Sequence, residues 1–112
     1  MNFKPRDAIP PGTLDMLILK TLAGVGQLHG FEIADAIQLS SSNVLQVEEG
    51  SLYPALQRML IKGWLAAEWG KTLENRRARY YKLTRSGRKH LDEELARYGR
   101  VTAAIGRILQ PA

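Results

Sequence analysis

The chain of 112 residues is long enough for one modest hydrophobic core and too short for two domains of ordinary size. An apolar fraction of 45% with 24% charged residues excludes a disordered polymer, and the absence of cysteine excludes disulfide frameworks, thiol nucleophiles and Cys-based zinc sites. The net charge of +5 is unevenly placed: residues 1–50 balance to −3, residues 51–90 carry ten Lys/Arg against Glu68 and Glu74 for +8, and residues 91–112 are neutral.

Clustered Lys and Arg displace counterions from phosphates, so the middle segment points to a polyanionic partner; an inert basic surface is the plain alternative. The start, Met1-Asn2-Phe3-Lys4-Pro5-Arg6, has no apolar h-region, so no signal peptide is expected. The longest apolar run, Met16 to Leu19, is far too short for a membrane span, and a soluble cytoplasmic protein is the expectation.

Pro10-Pro11-Gly12 punctuates the beginning, and Thr13 suits the N-cap of a first helix. From Leu14 to Leu22 that helix is apolar nearly all round, which predicts burial on most sides until Gly24-Val25-Gly26 ends it. A second helix is expected after His29-Gly30, with Phe31, Ile33, Ala34 and Ile37 inward and Glu32, Asp35 and Gln38 outward. Ser40 to Asn43 reads as a loop, being rich in residues that bond their own backbone.

A third helix follows, and its faces separate cleanly at 100° per residue. Leu52, Ala55, Leu56, Met59 and Leu60 share one side, while Ser51, Pro54, Gln57, Arg58 and Lys62 lie opposite, with Tyr53 on the flank. Hydroxyl, amide, guanidinium and ammonium groups on one outer face suit a nucleic-acid groove, although an ordinary amphipathic surface helix shows the same pattern. Ser51 as N-cap would place Pro54 in the first turn, and Gly63 suits a left-handed position after the last turn. Glu48-Glu49, just before, reads as a pair stabilised by the helix dipole.

After Gly63 the period changes to two. Leu65 to Trp69 and Arg79 to Leu83 read as strands, joined by the polar turn Gly70 to Ala78 with Lys71, Arg76 and Arg77 in it. A two-stranded hairpin is too weak to stand alone and must lie against the helices. Thr84 then caps a final helix reaching to about residue 109, with Gly87 a soft spot in its first turn. Leu91, Leu95, Tyr98, Thr102, Ile105 and Leu109 recur at 4-3-4-3-4 spacing, and Val101 and Ile108 widen the stripe. A helix of that span is roughly 37 Å long. It overhangs so small a core, and a second copy of the chain is the expected cover for it; folding back on the first helix is the alternative.

Three helices, a basic hairpin and a trailing helix make a mainly α fold with a small β-hairpin, a winged helix-turn-helix over residues 10–84 and a dimerisation helix over 85–109. Here the sequence resembles a known family. Leu14-Asp15-Met16-Leu17-Ile18-Leu19, His29-Gly30-Phe31-Glu32-Ile33, Gly50-Ser51-Leu52-Tyr53-Pro54-Ala55-Leu56, Gly63-Trp64 and Arg79-Tyr80-Tyr81-Lys82-Leu83-Thr84 with Gly87 together resemble the PadR transcriptional regulators, in their short subgroup with one C-terminal helix. That resemblance implies a dimeric repressor of the bacterial cytoplasm. It carries reader positions onto Ser51, Tyr53, Pro54 and Gln57 and wing positions onto Arg76 and Arg77. Many relatives respond to small aromatic or drug-like ligands near the dimer interface, but no effector residues carry over.

The expected roles follow from chemistry. Ser51, Tyr53 and Gln57 suit base edges, whereas Arg58, Lys62, Lys71, Arg76, Arg77 and Arg79 suit phosphates or a narrow minor groove. The competing reading is a winged helix that docks RNA or an acidic protein. Catalysis has no support: no nucleophile or metal motif is present, and His29 and His90 read as structural or solvated. No cofactor, metal or membrane partner is expected.

Overall fold

The computed structural model describes residues 7–111. Met1–Arg6, the stretch read for a signal peptide, lies outside them. The order is β1 (Asp7–Ala8), α1 (Leu14–Val25), β2 (Gln27–His29), α2 (Gly30–Ser40), β3 (Leu45–Gln46), α3 (Glu49–Ile61), β4 (Leu65–Lys71), β5 (Arg77–Leu83) and α4 (Arg85–Leu109). The fold is the winged helix-turn-helix expected from the sequence, mainly helical with a small antiparallel sheet and a long last helix.

The core forms where the apolar faces meet. Ile18, Leu19 and Leu22 of α1, Ile33 of α2 and Leu52, Ala55, Leu56 and Met59 of α3 are essentially inaccessible to solvent. Leu65 and Tyr81 of the sheet and Leu91 of α4 close it. At roughly 1.5–3 kcal/mol for each large side chain, this cluster is the main force holding three short helices that would not persist alone.

Several details differ from the sequence reading. The sheet that holds the hairpin is three-stranded, because Gln27–His29 pairs with Lys82–Tyr80 in the order β2-β5-β4. Three residues give no period to read, so only the tertiary partner identifies them as a strand. A second parallel pair, β1 with β3, ties the start of the chain to the residues before α3. The strands β4 and β5 also run further than expected, taking in Gly70, Lys71, Arg77 and Ala78 and leaving a turn at Thr72–Arg76 with Asn75 left-handed at φ 60°.

The third helix begins earlier than Ser51. Its N-cap is Glu48, so Pro54 falls in the second turn and not the first. The missing N–H leaves the Gly50 carbonyl without its helical donor. Neither Glu48 nor Thr13 accepts a capping bond through its side chain, and the Thr13 hydroxyl donates instead to the Pro10 carbonyl at 2.8 Å. Phe31, expected inward, is 63% exposed. It sits one residue into α2, turned away from Ile33 and Ile37, which are buried in the core with Ala34 packed beside them.

Gly87 is not a soft spot. A Cβ there would overlap the Trp64 carbonyl oxygen and come within 2.8 Å of Leu83 Cδ1. The glycine is what lets α4 lie against the root of the hairpin. Beyond Leu91 that helix leaves the body: Leu95, Tyr98, Val101, Ile105, Ile108 and Leu109 are all exposed. The radius of gyration, 15.7 Å, exceeds the about 13 Å of a compact chain this size for the same reason.

Candidate nucleic-acid interface

The alternation of the hairpin decides where its cations point. In register, Leu65 faces Leu83, Ala67 faces Tyr81, Trp69 faces Arg79 and Lys71 faces Arg77, so these eight share one face of the sheet. Near the helices that face is apolar, with Leu65 and Tyr81 buried. Towards the turn it becomes a polar row in which Trp69, Arg77 and Lys71 are exposed and Arg79 is half-buried. One continuous face thus serves the core at its base and solvent at its tip.

That tip looks across a cleft of about 760 Å³ lined by His29, Gly30, Phe31, Tyr53, Trp69, Thr72, Glu74, Arg76, Arg77, Ala78, Arg79 and Tyr81. The opposite wall is the start of α2 and the flank of α3. His29 caps α2, its ring accepting from the Glu32 N–H while Glu32 Oε1 accepts from the His29 N–H at 3.1 Å. Tyr53 lies across Gly30 so closely that an added Cβ would stand 2.9 Å from its hydroxyl. A side chain at position 30 would therefore push Tyr53 off this wall. Tyr81, below, has its hydroxyl pKa raised by burial, with Arg79 opposing and Tyr53 adding to the rise.

Along α3, Ser51, Tyr53, Pro54, Gln57, Arg58 and Lys62 are exposed while Leu52, Ala55, Leu56 and Met59 are buried. The structure brings Tyr53 to the same cleft as Arg76, Arg77 and Arg79. Two of the cations have internal partners. Arg58 Nη2 donates to Asp15 Oδ1 of α1 at 2.9 Å, and Lys62 Nζ lies 4.7 Å from the centre of the Trp64 ring. Lys71, Arg76, Arg77 and Arg79 form no ion pair among the described residues. Arg77 lies instead over the Trp69 ring at 4.3 Å, with Arg79 at 6.0 Å.

Sequence reading missed Phe31 and Trp69 as parts of this surface. For Phe31 the clue was its helical position, about 160° from Ile33 and about 120° from Ile37 at roughly 100° per residue. For Trp69, strand alternation with Arg79 and Arg77 was the available clue. His90, read as structural or solvated, is structural: it stacks on Trp64 with ring centres 3.6 Å apart and planes 11° off parallel. No group of three or more potential metal ligands occurs among the described residues, and no helix there is long and apolar enough to cross a membrane.

A family model described as the transcriptional regulator PadR-like family matches residues 18–93. A solved transcriptional regulator from Clostridium thermocellum superposes with a TM-score of 0.80 at 24% identity, covering 88% of this chain and 95% of that one. A PadR family transcriptional regulator from Eggerthella lenta gives 0.74 at 28% identity, covering 90% of this chain and 85% of that one. The PadR protein of Bacillus subtilis, solved in complex with operator DNA, gives 0.66 at 23% identity over 77% of this chain and 48% of that one.

Proposed function

The chain belongs to the transcriptional regulator PadR-like family, a family of regulators and not of enzymes, and from that premise we propose that it represses transcription by binding a palindromic DNA operator as a homodimer. The observation that carries this reading is the cleft. The Tyr53 hydroxyl of α3 opens onto the same cleft as Arg76, Arg77 and Arg79, which form no ion pair among the described residues, and Ser51 and Gln57 are exposed on the same helix. A duplex needs that pair of features: donors and acceptors for base edges, and cations for the backbone.

In this reading residues 10–84 form the reading unit and residues 85–109 the dimerisation helix. Ser51, Tyr53, Pro54 and Gln57 enter the major groove, where the Gln57 amide matches the paired donor and acceptor of adenine. Arg58, Lys62, Lys71, Arg76, Arg77 and Arg79 hold phosphates or a narrow minor groove. The exposed stripe of α4 from Leu95 through Tyr98, Thr102 and Ile105 to Leu109 continues the heptad that Leu91 begins, and a second copy covers it. Half-sites then lie about one helical turn apart. Repression is steric, in the cytoplasm of a bacterium. Release by a small aromatic or drug-like effector, which the family resemblance implies, has no assigned residue in this chain.

Footprinting on DNA upstream of the gene tests the proposal. Protection of one palindrome is expected, with Gln57→Ala losing roughly 1–3 kcal/mol of discrimination at one base pair and Arg77→Ala weakening all sequences alike. Absence of a preferred duplex, with RNA or an acidic protein bound more tightly, would transfer the cleft to the competing class of partner.

A further inference from the structure

The arginines of the hairpin are long and flexible, yet Arg77 is held in a defined place. What holds it is an indole. A carboxylate would hold a guanidinium equally well but would cancel much of its charge for a second anion. An aromatic face attracts the cation through its quadrupole and leaves the net charge intact. Stacking also uses the flat face of the guanidinium, so its five N–H donors, which lie in the plane, stay free for phosphate oxygens.

Trp69 is otherwise unexplained. It is 58% exposed, although it belongs to the sheet face that a few residues away is buried. It does not fill the core, and the residue directly opposite it, Arg79, and the one diagonal to it towards the turn, Arg77, are cations. We propose that Trp69 is a positioning residue that aligns Arg77, and more weakly Arg79, in the cleft so that their charged edges meet a phosphate backbone. This inference rests on the DNA-binding reading above and names the residue that organises its phosphate contacts.

The test has one arm without DNA and one with it. In the free protein, NMR should show the Arg77 side-chain protons shifted upfield by the indole ring current, and Trp69→Ala should abolish the shift. In binding titrations against salt, Trp69→Ala should weaken every duplex by roughly 3- to 10-fold and make the salt dependence shallower, with an unchanged melting temperature. Trp69→Phe should restore most of both. Arg77→Ala added to Trp69→Ala should cost little more, because the two act as a unit.

Unshifted Arg77 protons overturn the inference whatever the protein binds. Wild-type affinity in Trp69→Ala, a loss confined to one base pair, or losses that multiply in the double variant overturn it while leaving the operator reading intact. Failure of the wild-type protein to bind any duplex overturns the operator reading, and the proposed role with it.

Discussion

Replacing Gly87 with alanine should destabilise the protein, although helix propensity argues the opposite. In an exposed helix interior that substitution stabilises by about 1 kcal/mol. Here the new methyl group would sit inside the Trp64 carbonyl oxygen, 2.8 Å from Leu83 Cδ1 and 2.9 Å from the Trp64 carbonyl carbon. The oxygen cannot simply turn aside, because it accepts from the Thr84 N–H at 3.0 Å. Moving α4 outward instead stretches the bonds that seat its first turn: the Thr84 hydroxyl to Gly63 O at 2.6 Å, the Ser86 hydroxyl to the same oxygen at 3.1 Å, and the Gly87 N–H to Thr84 Oγ1 at 3.0 Å. At about 1 kcal/mol net for each bond, disturbing two to four of them costs roughly 2–4 kcal/mol, which leaves a net loss of about 1–3 kcal/mol after the propensity gain. Urea unfolding at fixed protein concentration measures it, with Gly24→Ala as the control. Gly24 lies in the last turn of α1 with nothing within 4 Å of its would-be Cβ, so that variant should gain about 0.5–1 kcal/mol. A Gly87→Ala protein as stable as the wild type would refute the close approach of α4 to the hairpin root.

Two further outcomes follow from single contacts. Ile105→Asp places a charge at a position 48% exposed in the single chain, so the fold should survive while the dimer weakens by roughly 100-fold, as sedimentation would report; an unchanged dimer would move the interface off α4. Asp15→Asn frees Arg58 from its 2.9 Å partner. Both side chains are partly exposed, so stability should fall by less than about 1 kcal/mol while duplex affinity rises a few-fold at low salt. Unaltered affinity would remove Arg58 from the backbone contacts.

How much of this the sequence disclosed depended on the length over which a pattern repeated. The inner face of α3 was legible because Leu52, Ala55, Leu56 and Met59 obey one period through about two turns, and all four are buried. The cap of α4 was legible because Thr84 precedes a long run, and its hydroxyl does accept from the Gly87 N–H. The start of α3 was misread since Ser51 is the better capping residue chemically, yet the chain enters the helix three residues earlier, after β3 has paired with β1. Tertiary tethering overrode local preference there. β2 and Gly87 share another cause. Each is decided by one neighbour distant in sequence: β2 by β5 and Gly87 by the Trp64 carbonyl. Spacing along a helix carries no information about such a neighbour.

Those single contacts also determine how the exposed face of α3 is held relative to α4. α3 ends at Ile61 with Lys62 as C-cap, and Gly63 follows left-handed at φ 78°, the Gly63 and Trp64 N–H groups donating back to Leu60 O and Met59 O at 3.0 Å each. The next peptide group is gripped from the other side by Thr84, at the end of β5 and the start of α4. Around it, the Trp64 ring takes Lys62 at 4.7 Å and stacks on His90 at 3.6 Å. The end of α3, the root of the hairpin and the first turns of α4 therefore meet at one residue, and no linker intervenes between Leu83 and Arg85 beyond the capping Thr84. Leu91 extends the junction into the core through α1. A rotation of α4 cannot be absorbed by a hinge at this point, because it would have to break the Thr84 and Gly63 bonds or unstack Trp64. In a dimer joined through α4, the spacing and angle of the two α3 helices would be set by the stiffness of this junction, and tolerance for altered half-site spacing should be correspondingly small.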